Sequence, residues 1–138
     1  MLSGMRNYLV FAVCFLCADA YAAWVKIASS DDSVKEKFFD ESAVIQSGPM
    51  AIWRRVNELT NFAERQSDGA LSSRWMVEYD CMDHRMRRLL EKRFTGTWAT
   101  GEELAPTVNG RGDIPWLEVR PRTGEASVMR AVCPGSTD

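Results

Sequence analysis

The residues of this chain best able to do chemistry are two late cysteines, one histidine and a set of arginines. Cys81 and Cys133 have no CxxC spacing around them, and His84 is the chain's single histidine. Two thiols and one imidazole at such separations are a poor zinc ligand set. His84 follows Asp83, but neighbours in sequence do not gain the geometry with which a carboxylate orients a catalytic base. A solvated turn histidine is the expected reading. Ser72 and Ser73 lie in no nucleophile-elbow pattern. No phosphate loop and no paired-carboxylate motif is present. The expectation is a protein that is not an enzyme, with no catalytic residue, no metal and no cofactor.

Binding chemistry is better represented. Arg54, Arg55, Arg85, Arg87, Arg88, Lys92 and Arg93 would form one cationic sheet face if the strands that carry them were near neighbours. Such a face suits an acidic partner, for instance a glycosaminoglycan or an acidic protein segment. The competing reading is a solvated face whose cations pair across strands with Glu58, Glu78 and Glu91. Arg111-Gly112-Asp113 spells the tripeptide that host integrins recognise, within a predicted loop. Asn109-Gly-Arg-Gly-Asp113 is also ordinary turn chemistry, and its presence alone is no evidence of adhesion. Candidate ligand-binding residues are therefore Arg54, Arg85, Arg87, Arg88, Arg111, Gly112 and Asp113. Trp53, Trp75 and Trp116 sit in strand-like contexts and are expected in the core.

The compartment decides how the cysteines behave. Residues 1–22 read as a secretory signal: Arg6 near the start, an apolar run from Tyr8 to Cys17 too short to span a bilayer, then Ala18-Asp-Ala-Tyr-Ala22 with small-x-small sites. The alternative, a buried N-terminal helix, fits these flanks less well. Val13 and Leu16 precede Cys14 and Cys17, where a lipid-anchor site needs a small residue, so lipidation is not expected. Cleavage after Ala22 leaves residues 23–138 as one domain holding two cysteines, with no transmembrane segment. In an oxidising compartment such a pair usually forms one disulfide. An intermolecular bridge at each cysteine remains the alternative. Closing a loop of 52 positions removes roughly 4 kcal/mol of denatured-state freedom in the chain-entropy model.

What elements would hold these residues? The chain has 138 residues, 46% hydrophobic and 26% charged, which suits one small globular domain. A formal net charge of −2 gives no bulk attraction to nucleic acid or anionic membrane. From Trp75 to Cys81 the chain alternates strictly, with Trp75, Val77, Tyr79 and Cys81 on one side and Met76, Glu78 and Asp80 on the other, which predicts a half-buried strand. Strands are also predicted over 24–29, 34–39 and 50–59. Residues 40–49 read as a connector with Val44 and Ile45 as core plugs, and 61–71 as a loop. Residues 95–101 are β-prone with glycine breaks, 105–113 form a loop, and 114–121 are extended. Thr123 or Gly124 starts a helix with Glu125 in its first turn and a stripe of Val128, Met129, Val132 and Cys133. Met86, Leu89, Leu90 and Phe94 fall at helical spacing, so pattern alone favours a helix over 85–94.

Trp24, Phe39-Asp40-x-Ser42-x-x-Ile45 before Gly48, and Ile52-Trp53 make an opening pattern. Ser73, Glu78-Tyr-Asp-Cys81, Arg85 and Arg87 follow, and Trp116-Leu-Glu-Val-x-Pro121 precedes the closing Cys133. In that order, from about Trp24 to Pro134, the set resembles the surface-adhesin protein E-like domain of Gram-negative bacteria. The resemblance implies an α+β fold: a small antiparallel sheet of five or six strands with a C-terminal helix packed on it through a disulfide. It also implies that 85–94 is a strand, and we follow it there. Adhesins of that family bind host matrix and serum proteins and are lipoproteins, so it implies an exported binding module, periplasmic or associated with the outer membrane or cell exterior. The alternative is a soluble periplasmic structural or accessory domain with no host ligand. Exposed sheet edges leave dimerisation open.

Overall fold

The structure is a computed structural model and describes residues 22–106 and 113–135. The leader expected over 1–22 lies almost wholly outside them. One antiparallel sheet carries the chain. Its strands are β1 (Trp24–Ile27), β2 (Val34–Asp40), β3 (Ile45–Ser47), β4 (Trp53–Phe62), β5 (Ser72–Asp80), β6 (Arg85–Phe94) and β7 (Leu117–Glu118). They run in the order β1-β2-β4-β5-β6-β7, with the short β3 pairing beside β2 on the same edge of β4. Every pairing is antiparallel. The long, alternating β5 sits in the middle, zipped over nine residues to each neighbour.

One helix, α1 (Gly124–Val132), covers one face of this sheet. Thr123 caps it by accepting a hydrogen bond from the Ala126 N–H at 3.2 Å, and Glu125 lies in the first turn. Val128 and Met129 point down into a core made with Ile27, Phe39, Val56, Val77, Tyr79 and Met86. The stripe continues into Cys133, whose sulfur is bonded to Cys81 at the end of β5. The disulfide therefore ties the helix C-terminus to the central ribbon, as the sequence implied.

The structure corrects several local expectations. Residues 85–94 form a strand, and the apparent helical spacing has a specific cause. Val77 pairs with Arg88 while its neighbour Met76 pairs with Leu90, so Leu89 is an extra residue, a β-bulge. One inserted residue turns Leu90, Lys92 and Phe94 to the face opposite Met86, which breaks the period of two. Ile45 is not a core plug; it lies on β3, opposite Arg55, and is 56% exposed. Residues 95–101 form turns, not a strand, and β4 runs on through Asn61 and Phe62. The central strand is buried on both sides, since Glu78 and Asp80 are as covered as Val77 and Tyr79. No tryptophan is fully buried: Trp75 packs against the core as expected, whereas Trp53 and Trp116 lie over the opposite face. Their polar edges and size place them over the sheet rather than inside it.

Candidate functional site

On the face away from α1, neighbouring rows of β4, β5 and β6 juxtapose Arg55, Glu78 and Arg87, then Trp53, Asp80 and Arg85. Glu78, 1% exposed, is saturated. Its Oε1 accepts from Arg87 Nε at 2.9 Å and Nη2 at 2.7 Å; its Oε2 accepts from Arg55 at 3.0 Å and from the Ser47 hydroxyl at 2.8 Å. Asp80 accepts from Arg85 Nε at 2.9 Å and from the backbone N–H groups of Met82 and Asp83. Above these pairs, the rings of Trp53 and Trp116 meet edge to face at 5.1 Å. The Arg87 guanidinium lies 5.0 Å from the first ring centroid and 4.3 Å from the second, and Arg85 is 4.7 Å from Trp116. The main chain is shaped to admit this stack. Gly48 (φ 74°) passes directly beneath the Trp53 ring, where a Cβ would collide with it.

Burial works against ionising Glu78, yet the hydrogen bonds from Arg87, Ser47 and Arg55 together hold its carboxyl below the usual range. Asp80 is lowered too: burial opposes its charge, and the Asp83 N–H, Arg85 and the Met82 N–H outweigh that. Both folded values lie beneath the unfolded ones, so the stability these groups contribute is present above the ordinary carboxylate range, about pH 4. It is lost as pH falls through the folded values. Thermal melts from pH 6 downward should therefore show the Tm dropping below about pH 4. A Glu78→Gln variant, already less stable, should show a shallower drop. An acid limb of unchanged steepness in that variant would remove Glu78 from the explanation.

The helix-side face holds a different network. The Tyr79 hydroxyl donates to buried Glu58 Oε1 at 2.6 Å, and the Lys37 ammonium stands 3.1 Å from Glu58 Oε2 and 3.8 Å from Glu125 on α1. Burial first, then the charge of Glu58, pushes the Tyr79 phenol well up, so it stays a donor. Arg88 reaches Glu125 at 3.5 Å and lies over Trp75. Beside this network a cleft of about 780 Å³ opens between the sheet, the β1–β2 turn and the start of α1.

The basic residues singled out from sequence thus do not share one face. β5 separates β4 from β6. Arg85, Arg87 and Arg55 face away from the helix and Arg88 faces toward it, while Arg54 donates to the Ala51 and Trp53 carbonyls. Lys92 pairs with Glu103, and Arg93 with Asp68 and Glu91. Glu78 is a cross-strand partner as expected, of Arg55 and Arg87; Glu91 pairs with Arg93 of its own strand, and Glu58 pairs across strands with Lys37 and with Tyr79 rather than with an arginine of the set. Asp113 is exposed, whereas Arg111 and Gly112 lie outside the described residues. His84 is exposed in the β5–β6 turn. Missed by the sequence reading was the Trp53–Trp116 pair, because only the return of β7 to β6 brings the two rings together.

Among the described residues no cluster of His, Cys, Asp and Glu could hold a metal ion, and no helix is long and apolar enough to cross a membrane. The sequence model of the family described as surface-adhesin protein E matches residues 24–134. This chain belongs to that family. Solved structures of Haemophilus influenzae protein E share the surface-adhesin fold. One, of its selenomethionine form, superposes with a TM-score of 0.65 at 12% identity, covering 85% of this chain and 90% of that one. Its crystal form II gives 0.61 at 12% identity, over 83% and 90%. Protein E from the non-typeable organism gives 0.60 at 12% identity, over 82% and 76%. At that identity the likeness is one of fold. No curated protein sequence matches the chain.

Proposed function

We propose that this member of the surface-adhesin protein E family is an exported, non-enzymatic binding module, and that its contact surface is the arginine–tryptophan face. The observation that carries the surface is the partly exposed Trp53–Trp116 pair with Arg85 and Arg87 stacked on it. Tryptophan and arginine are the residues that most often dominate protein interfaces. Here buried Asp80 and Glu78 hold the two arginines in place against the rings, so little ordering cost remains on binding. Exposed Ile45 and Met50 flank them, the latter 85% exposed just ahead of β4. A host matrix or serum protein is the partner class that the family suggests, and residues 1–22 would direct export.

Trp116→Ala tests the surface. Trp116 is partly exposed and lies outside the long strands, so the fold survives its loss. Binding to immobilised host matrix and serum proteins should weaken at least tenfold, the size of a hot-spot loss of about 1.4 kcal/mol or more. Equal binding by variant and parent would exclude this face. Whether the protein reaches the cell exterior is read separately, by fractionation and by protease treatment of intact cells. Protection from protease in intact cells would favour the periplasmic accessory role instead.

A further inference from the structure

The cleft at the start of α1 has a polar floor whose hydroxyl groups open into it. Thr60 and Ser73 are register partners on β4 and β5, 8% and 2% exposed, and both line the cleft. No described residue hydrogen-bonds to either hydroxyl. The buried side-chain atoms left unpaired among the described residues are Arg55 Nε and Glu58 Oε2, so these two hydroxyls are reached from the cleft itself. Two adjacent ones facing the same cleft define a place where a ligand's own donors and acceptors fit.

The walls indicate which ligand. Trp75 and Phe62 supply apolar surface. Glu91 Oε1 is held by Arg93 and Glu125 Oε1 by Arg88 and Lys37, which leaves the second oxygen of each to accept from a hydroxyl group. At the mouth Arg122, exposed and with no ion-pair partner among the described residues, stands next to the capped start of α1. Hydroxyl floor, aromatic wall and carboxylates match the alternating hydroxyl and C–H surface of a sugar ring. The unpaired guanidinium at the rim adds a seat for one negative group. A volume of about 780 Å³ accommodates one or two sugar rings.

We infer that this cleft binds an anionic saccharide unit, a sugar ring carrying one carboxylate, on the side of the sheet opposite the arginine–tryptophan face. The site is independent of the proposed adhesive surface, and Trp116→Ala leaves it intact.

The test is an NMR titration of the full chain with glucuronate, galacturonate and N-acetylneuraminate, against glucose and acetate. At least one sugar acid should give saturable shifts at Thr60, Ser73 and the Trp75 indole N–H, with glucose weaker and acetate without effect. Thr60→Val keeps the side chain's shape and Ser73→Ala leaves no partner behind, so both fold. Each should weaken the sugar acid about fivefold, the worth of one neutral hydrogen bond. Arg122→Ala should bring the sugar acid down to the level of glucose. No saturable shift with any sugar acid overturns the proposal. So does acetate binding as well as the sugar acids, or affinity that Thr60→Val and Ser73→Ala leave unchanged.

Discussion

Replacing Cys81 and Cys133 by serine, or reducing the bond between them, will lower the stability of this protein by about 4 kcal/mol. The bond closes a loop spanning 52 positions, and that loop contains β6, β7 and all of α1. Without it the unfolded chain regains the freedom of that whole segment. The folded state meanwhile keeps α1 only through the burial of Val128, Met129 and their neighbours. Typical domains hold about 5–15 kcal/mol in total, so the loss is a large share. For a domain of this size it corresponds to a fall in Tm of roughly 15 °C. Urea denaturation of oxidised and reduced protein, fitted with a common slope, measures it directly. A difference under about 1 kcal/mol would show that α1 holds to the sheet by packing alone.

Arg87→Ala is expected to cost about 3 kcal/mol, the scale of breaking a buried ion pair by removing one partner. Two of the four hydrogen bonds to Glu78 vanish, and that carboxylate is 1% exposed. The same change takes the guanidinium from between Trp53 and Trp116. Arg55 and Ser47 still hold the other carboxylate oxygen, which keeps the cost from being larger. Arg87→Lys should recover part of the stability, because it restores the charge but not the paired donors or the flat contact with the rings. Chemical denaturation of the three proteins gives the ranking. Lysine performing no better than alanine would mean that geometry, not charge, carries the whole effect.

The bulge at Leu89 shows where pattern reading stops. Its single extra residue moves Leu90 and Phe94 to the face opposite Met86, and the resulting spacing imitates a helix. No local propensity reveals it; the register against β5 does. The basic residues teach the same lesson. Arg85, Arg87 and Arg88 are close in sequence, but alternation sends Arg88 to the helix side and the other two away from it. The interposition of β5 then sets Arg54 apart from all three, and Arg55 meets Arg87 only through Glu78 between them.

By itself the sequence determined the strand over Trp75–Cys81, the helix capped by Thr123, the pairing of Cys81 with Cys133 and the family likeness. These follow from alternation, capping chemistry and the count of cysteines, all of which are local or nearly so. Only the tertiary structure decided which residues meet. It covered the second face of β5 and brought Trp116 back from β7 onto Trp53. It also left the Thr60 and Ser73 hydroxyls side by side, without partners, under the start of α1. The physical reason is that contacts between distant strands depend on sheet order and register. Those are set by the sum of many weak pairings rather than by any single stretch of residues.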